Sequence, residues 1–295
     1  MRYLKRDKQN LLVCEELSAG DVVVVSAFGT DFRDIEHLKQ KGVTIVDSTC
    51  GAIINVWKRV EGYAKKGLIT VVHGKRNHEE TRATVSQAVK EGGAYLTLEN
   101  ISEAKELADV IRGKCSEKDF IRSHPGCAIS ENYSFDAAGC SMGMANQTTM
   151  LKGESLEIQN ILRQAFIERF GEEATRERFK SFDTICGATQ DRQDALRGLL
   201  KKPLDLLLIV GGFNSSNTTH LAEIAQGGPP FFHIESAEDI LSSQEIRLRS
   251  PQSGKVSVEE GWMPPNFKNI GITSGASTPD VTLFEIIQKI SSFKR

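Results

Sequence analysis

Apolar runs of about five residues recur along the chain, each closed by turn residues and followed by a stretch with helical spacing. "DVVVVSAF" from Asp21 leads into "DFRDIEHLKQKG", "VTIVDSTC" into "GAIINVWKRVEGYAKKG", and "LITVVHG" into "NHEETRATVSQAVKEGG". "AYLTLE" precedes "NISEAKELADVIRG"; further on, "LLLIVGG" precedes "NSSNTTHLAEIAQGG", "PFFHIES" precedes "AEDILSSQ", and "NIGITSG" precedes "ASTPDVTLFEIIQKIS". Unbroken β-branched runs alternating with amphipathic stretches predict α/β units whose sheets are parallel and buried on both faces. A long helical stretch, "GESLEIQNILRQAFIERFGEEATRERFKSF", links two such blocks. The segment from Cys115 to Cys140 shows no period and reads as an irregular surface insertion. The segment from Glu245 to Pro265 reads as another excursion, a small hairpin.

Several strand ends carry hydroxyl, amide or thiol residues: "DSTCG", "ANQTTM", "DTICGAT", "GGFNSSNTT" and "TSGAST". Helix N-capping explains any one of them, because Ser, Thr and Asn are ordinary caps. Ligands of parallel α/β sheets bind beyond the carboxyl ends of the strands, where helix N-termini offer free amides to anions. Five clusters in equivalent positions, two of them with a cysteine, point to one shared polar site.

Composition narrows the function classes. The 295 residues include 37 Lys and Arg against 39 Asp and Glu, and 39% are hydrophobic. That balance argues against a nucleic-acid-binding surface and against a basic membrane-surface protein. No apolar stretch approaches the roughly 18 residues that span a bilayer, and "MRYLKRDKQN" lacks the apolar core of a signal peptide. A soluble, cytoplasmic protein is expected. The six cysteines, Cys14, Cys50, Cys115, Cys127, Cys140 and Cys186, form no C-x-x-C pair, so a zinc ribbon or a thioredoxin-type site is poorly supported.

Cys50 in "VDSTCGA" and Cys186 in "FDTICGA" share a setting, with Cys-Gly-Ala opening a predicted helix. A helix N-terminus favours the thiolate, the metal-binding form, although a lone cysteine is more often structural. Their local similarity favours ligands of one metal centre, and cysteines without partnering histidine favour iron–sulfur over catalytic zinc. Cys14 and Cys115 read as structural. In "HGKRNHEETRAT", His78 could meet an anion and Glu80 could deliver a proton. Equally, Asn77 with Glu80 has the spacing of a capping box. Ser215, Ser216 and Asn217 follow the most apolar strand, as neutral donors suited to a phosphate. No Gly-Lys-Ser/Thr accompanies them, so this is not a Walker A loop. Ser277 and Thr278 repeat that chemistry before Pro279, which is tolerated in a first helical turn.

Taken together, "DSTCG", "HGKRNHEET", "ANQTTMLKGE", "TICGATQDRQDA", "GGFNSSNTTHLAEIA" and "TSGASTPD" resemble the LytB-type 4-hydroxy-3-methylbut-2-enyl diphosphate reductases. The likeness runs from about Gly20 onward and is strongest to the branch found in plants and cyanobacteria. It implies a trefoil of pseudo-repeated α/β units with short, mostly parallel sheets around a central site. On this chain those units would be 1–49, an incomplete first unit, then 50–185 with the insertion near 115–140, and 186–295. The resemblance further implies a [4Fe–4S] cluster on three cysteines, whose unligated iron meets the substrate hydroxyl. Two electrons and a proton would remove that hydroxyl as water, giving isopentenyl and dimethylallyl diphosphate, the last step of the methylerythritol phosphate pathway. Carried over by position, Cys50 and Cys186 match cluster ligands, Glu80 the proton relay, and Thr148 the threonine that orients the hydroxyl. His78, Ser215, Ser216, Asn217 and Ser277 match diphosphate-binding groups. The resemblance also implies a ferredoxin or flavodoxin type of electron donor, and no dinucleotide fingerprint argues for direct NADPH binding.

The chain also departs from the family pattern. The Gly-Phe-Cys motif that carries the first cluster cysteine is not found, and a second family histidine falls at Phe28. The expectation is therefore an N-terminally truncated reductase, impaired by a missing cluster ligand. The competing expectations are an inactive diphosphate-binding remnant without a stable cluster, and a sugar- or nucleotide-phosphate enzyme on a similar scaffold.

Overall fold

Every position of the two central strands of the larger sheet is buried, which is what helices on both faces of a parallel sheet require. The computed structural model describes residues 3–7, 12–124, 127–135, 140–250 and 253–293. They divide into two compact units, Met1–Thr148 with Lys152–Thr184, and Thr149–Leu151 with Ile185–Arg295.

In the first unit, β1 (Val22–Val25) and β2 (Thr44–Asp47) pair in parallel, joined through α1 (Phe32–Gln40). Helix α2 (Gly51–Lys65) then leads to β3 (Ile69–His73), α3 (Glu79–Lys90), β4 (Tyr95–Leu98), α4 (Ile101–Arg112) and α5 (Glu117–Ser123). Strand β5 (Met142–Asn146), α6 (Lys152–Phe170), α7 (Glu172–Arg178) and β6 (Phe179–Ser181) complete it. The sheet order is β4-β3-β5-β6, parallel throughout. Alternation along the strands sorts the core into two layers. Ile69, Val71, Met142 and Met144 face α4 and α6, whose Leu107, Ile111, Ile158 and Phe166 are fully buried. On the other face Ala145 meets Val56, Val60 and Ala64 of α2. Tyr63 lies flat over Gly143 there and donates its hydroxyl to the Met144 carbonyl at 3.1 Å.

The second unit runs α8 (Gly187–Leu199), β7 (Leu206–Val210), α9 (Ser216–Ala225), β8 (Phe231–Ile234), β9 (Glu245–Arg249), β10 (Val256–Glu260), β11 (Ile270–Ser274) and α10 (Asp280–Ser292). Its sheet is parallel in the order β11-β7-β8. Leu207 and Ile209 pack with Leu196 of α8 and Leu221 of α9. Leu206, Leu208 and Val210 face Ile286 and Ile290 of α10, and Trp262. The α/β class with short, mostly parallel sheets is thus the observed one; the antiparallel pair β9–β10 is the hairpin expected within 245–265.

Three local expectations are corrected. The stretch "AEDILSSQ" makes a single 3₁₀ turn, Ala237–Asp239, because Ser236 and Asp239 close a capping box and Ile240 bridges to Ile246. The long linking helix breaks at Gly171, whose φ of 81° only glycine adopts freely, and ends as β6. The segment 115–140 is more than a surface excursion in its described part. It contains α5, Phe120 is buried, Ile129 bridges to Leu96, and Tyr133 and Phe135 pack on the core. Among the described residues, no helix is long and apolar enough to cross a membrane.

The Tyr63–Gly143 contact predicts a stability effect. A Cβ on Gly143 would lie 2.2 Å from the Tyr63 ring, so Gly143→Ala should cost about 1–3 kcal/mol in urea unfolding. Gly153→Ala, where nothing lies within 4 Å, should change stability by less than about 1 kcal/mol.

Candidate functional site

Strands β3 and β5 are adjacent and parallel, with His73 opposite Asn146, so the loops that follow them leave the same edge of the sheet. The two loops interlock. The Gln147 N–H donates to the His73 carbonyl at 2.8 Å, and Gln147 Oε1 accepts from the Lys75 N–H at 3.0 Å and from the Thr81 hydroxyl at 3.2 Å. The approach is so close that a Cβ on Gly74 would stand 2.8 Å from both Gln147 Cβ and Thr81 Oγ1. Gln147 and Gly74 were not singled out from the sequence; the signal was their place within the quoted motifs.

This interlock positions the titratable pair. His78 is the N-cap of α3, its Nδ1 accepting from the Glu80 N–H at 3.2 Å. The cap is therefore His78, one residue beyond Asn77, and Glu80 stands at the second helical position. Because Nδ1 accepts, the imidazole proton is on Nε2. Burial, with Lys75 adding to it, pushes the His78 pKa down to about 4, so the ring is neutral at pH 7. Phe28 stands edge-on to it, ring centroids 5.0 Å apart. Glu80 is 1% exposed. Its Oε1 accepts the Thr148 N–H at 2.5 Å, while Oε2 is buried without a hydrogen-bond partner. Desolvation pushes its pKa up to about 7, against the lowering effect of its hydrogen bonds to Thr148. His78, Glu80 and Thr148 are thus brought to one edge of the first unit's sheet.

In the second unit, Ser215 is the N-cap of α9, its side chain accepting from the Thr218 N–H at 3.3 Å. Ser216 and Asn217 are buried in the first turn. Ser216 Oγ and both polar atoms of the Asn217 amide lack a partner. Buried polar groups are ordinarily satisfied, and each exception costs about 1–3 kcal/mol. The Ser216 hydroxyl and the Asn217 amide N–H are donors that could meet an anion at this helix N-terminus. Thr218 wedges this turn against the ends of β7 and β11: a Cβ on Gly211 or on Gly275 would lie 2.4 Å from Thr218 Oγ1. Ser277 is exposed in the turn after β11, where the Thr278 hydroxyl donates to the Val210 carbonyl at 3.1 Å. Pro279 is the N-cap of α10, just outside the first turn.

Both singled-out cysteines are N-caps. Cys50 precedes α2, is exposed, and makes no side-chain capping bond. Cys186 precedes α8, its sulfur accepting from the Thr189 N–H at 3.3 Å and lying 2.9 Å from Thr189 Oγ1. Each sulfur thus stands at the start of a helix. A cluster on three cysteines needs another. Cys14 and Cys140 are buried in apolar cores. Cys115 and Cys127 pack against a core, burial pushes their thiols up, and Cys127 donates to the Thr97 carbonyl at 2.8 Å. Among the described residues, no group of three or more His, Cys, Asp or Glu side chains could hold a metal ion. The described donor set does not complete a three-cysteine cluster.

Comparison with known proteins places these motifs. A family model described as LytB protein matches residues 3–291. The 4-hydroxy-3-methylbut-2-enyl diphosphate reductase of Thermosynechococcus vestitus is 43% identical over 276 residues, which is 93% of this chain and 67% of that protein. Those of Gloeobacter violaceus and Prochlorococcus marinus are 40% and 42% identical, covering 100% and 98% of this chain and 70% of each relative. The solved structure of an (E)-4-hydroxy-3-methyl-but-2-enyl diphosphate reductase, the terminal enzyme of the non-mevalonate pathway, superposes with a TM-score of 0.53 at 25% identity. It is covered over 78% of its length by 94% of this chain. The Plasmodium falciparum reductase gives 0.66 at 21% identity, over 94% of this chain and 69% of that one, and speaks for the fold alone. On the match over nearly its whole length and on these relatives, the chain belongs to the LytB family.

Proposed function

We propose that the chain is a 4-hydroxy-3-methylbut-2-enyl diphosphate reductase of the methylerythritol phosphate route. Two electrons and one proton release the substrate hydroxyl as water, and a second proton goes to carbon, giving isopentenyl or dimethylallyl diphosphate. The observation that carries this reading is Glu80, a buried carboxyl with one unpartnered oxygen and a pKa near 7. Such a group holds a proton near neutrality and can pass it to a leaving oxygen. The Thr148 N–H fixes one carboxyl oxygen and leaves the other as the proton-bearing one. In this reading the Thr148 side chain orients the substrate hydroxyl. His78, Ser215, Ser216, Asn217 and Ser277 bind the diphosphate, His78 donating through Nε2. Cys50 and Cys186 would be two of the ligands of a [4Fe–4S] cluster, which would supply the electrons and a Lewis-acidic iron. The electron donor is a ferredoxin or flavodoxin type of protein.

The placement of the other four cysteines favours a second reading, a diphosphate-binding chain that keeps no stable cluster. Iron and sulfide analysis after anaerobic reconstitution separates the two. On the second reading, with Cys50 and Cys186 alone as ligands, fewer than about four irons per chain are expected, and they should exchange readily. A stable complement of four would overturn the second reading.

With iron bound and a chemical reductant, Glu80→Gln should lower turnover about 100-fold or more at unchanged iron content. Unchanged turnover would remove Glu80 from the proton relay. A measurement on the metal-free chain tests the same carboxyl. Its pKa rises from 4.5 to about 7 on folding. The stability this confers is therefore fully present below pH 4.5 and is lost as pH rises through 7, on the order of 3 kcal/mol. Urea unfolding at about pH 5 and about pH 8 should show this loss in the parent chain and a flatter profile in Glu80→Gln.

A further inference from the structure

The turn from Gly211 to Ser215 carries the start of α9, yet it begins with two glycines and has few side chains of its own to anchor it. Its anchors come from the neighbouring strand. His233, buried in β8, places Nε2 2.9 Å from the Gly211 carbonyl oxygen. A carbonyl only accepts, so Nε2 carries the proton. Burial holds the His233 pKa below its ordinary value, against the raising effect of the hydrogen bond to Gly211. Phe213 stands edge-on to that ring at 5.3 Å between centroids. Glu235, just past the end of β8, accepts the Phe213 N–H on Oε1 at 2.6 Å. Glu235 is itself fixed, since its N–H donates to Asp239 at 2.7 Å and the fully buried Asp239 also binds Arg247 at 2.5 Å.

We propose that His233 and Glu235 are positioning residues for the anion site, a two-point clamp from β8 that fixes where α9 presents Ser216 and Asn217. The proposal rests on the reading of those residues as diphosphate ligands. Its logic is geometric. Gly211, at φ 154°, has no room for a side chain against Thr218 and Thr278, so the turn is held through its backbone groups. Removing the His233 N–H leaves the Gly211 carbonyl without that donor. Removing the Glu235 carboxylate frees the Phe213 N–H. Either loss lets the turn shift relative to β7 and spoils the alignment of the unpartnered Ser216 and Asn217 atoms, without touching the ligand itself.

The test is isothermal titration of the whole 295-residue chain with inorganic pyrophosphate, which needs neither cluster nor electron donor. Asn217→Ala reports on the site, while His233→Phe and Glu235→Ala report on the clamp. The latter two should each weaken binding about tenfold. His233→Gln, whose amide nitrogen reaches to a similar point, should restore affinity to within about twofold of the parent. Nitrogen-15 NMR of the parent chain should show the His233 proton on Nε2. Parent-like binding by His233→Phe or Glu235→Ala, while Asn217→Ala binds poorly, would overturn the clamp and leave the site standing. A His233 proton found on Nδ1 would also overturn the clamp. No pyrophosphate binding by the parent, or no effect of Asn217→Ala, would overturn the site reading and the clamp together. If His233→Phe does not fold, the exposed Glu235→Ala and the NMR measurement still decide.

Discussion

The hydrogen bond from the Thr148 N–H to the Glu80 carboxyl is the contact on which the first unit's site depends. It joins the second residue of α3 to the loop after β5, and it can form only because β3 and β5 pair in parallel with His73 opposite Asn146. Burying a carboxylate with one oxygen unpartnered is unfavourable, and that cost appears as a pKa raised to about 7. Every neighbouring feature serves the same approach of two loops. Gly74 makes room for Gln147, Gln147 takes the Lys75 N–H and the Thr81 hydroxyl, and His78 takes the Glu80 N–H.

The second unit uses the same construction with different chemistry. Its carboxyl edge also rests on glycines, Gly211 and Gly275, that admit a helical side chain, Thr218, to the strand ends. There the cost lies in unsatisfied donors and acceptors on Ser216 and Asn217 rather than in a raised pKa. Both departures stand at the carboxyl edges of sheets whose central strands β3, β5 and β7 are buried along their whole length. Departures of that kind concentrate at functional sites.

Much of this was legible from periodicity and residue type. The unbroken apolar runs gave the parallel strands, and Cys-Gly-Ala after "DST" and "DTI" correctly placed Cys50 and Cys186 at helix starts. What escaped was set by partners distant in sequence. Spacing made Asn77 and Glu80 a capping box, yet His78 is the cap, because the β3–α3 loop is pinned by Gln147, about seventy residues on. Local pattern gave no sign that Tyr133, Phe135 and Ile129 would pack on the core, since Ile129 is placed by its bridge to Leu96 of β4, distant in sequence. "AEDILSSQ" has helical spacing, but the pairing of Ile240 with Ile246 withdraws its second half.

The same burial sets both titratable groups at the start of α3. His78 is kept neutral at pH 7, and Glu80 keeps a raised pKa because desolvation outweighs its hydrogen bonds to Thr148. A cation within about 4–6 Å of Glu80 would lower that pKa. Phe28 fits the same logic. Edge-on against His78, it adds to the burial that keeps the ring neutral, whereas a protonatable side chain in its place would bring a competing charge to the start of α3.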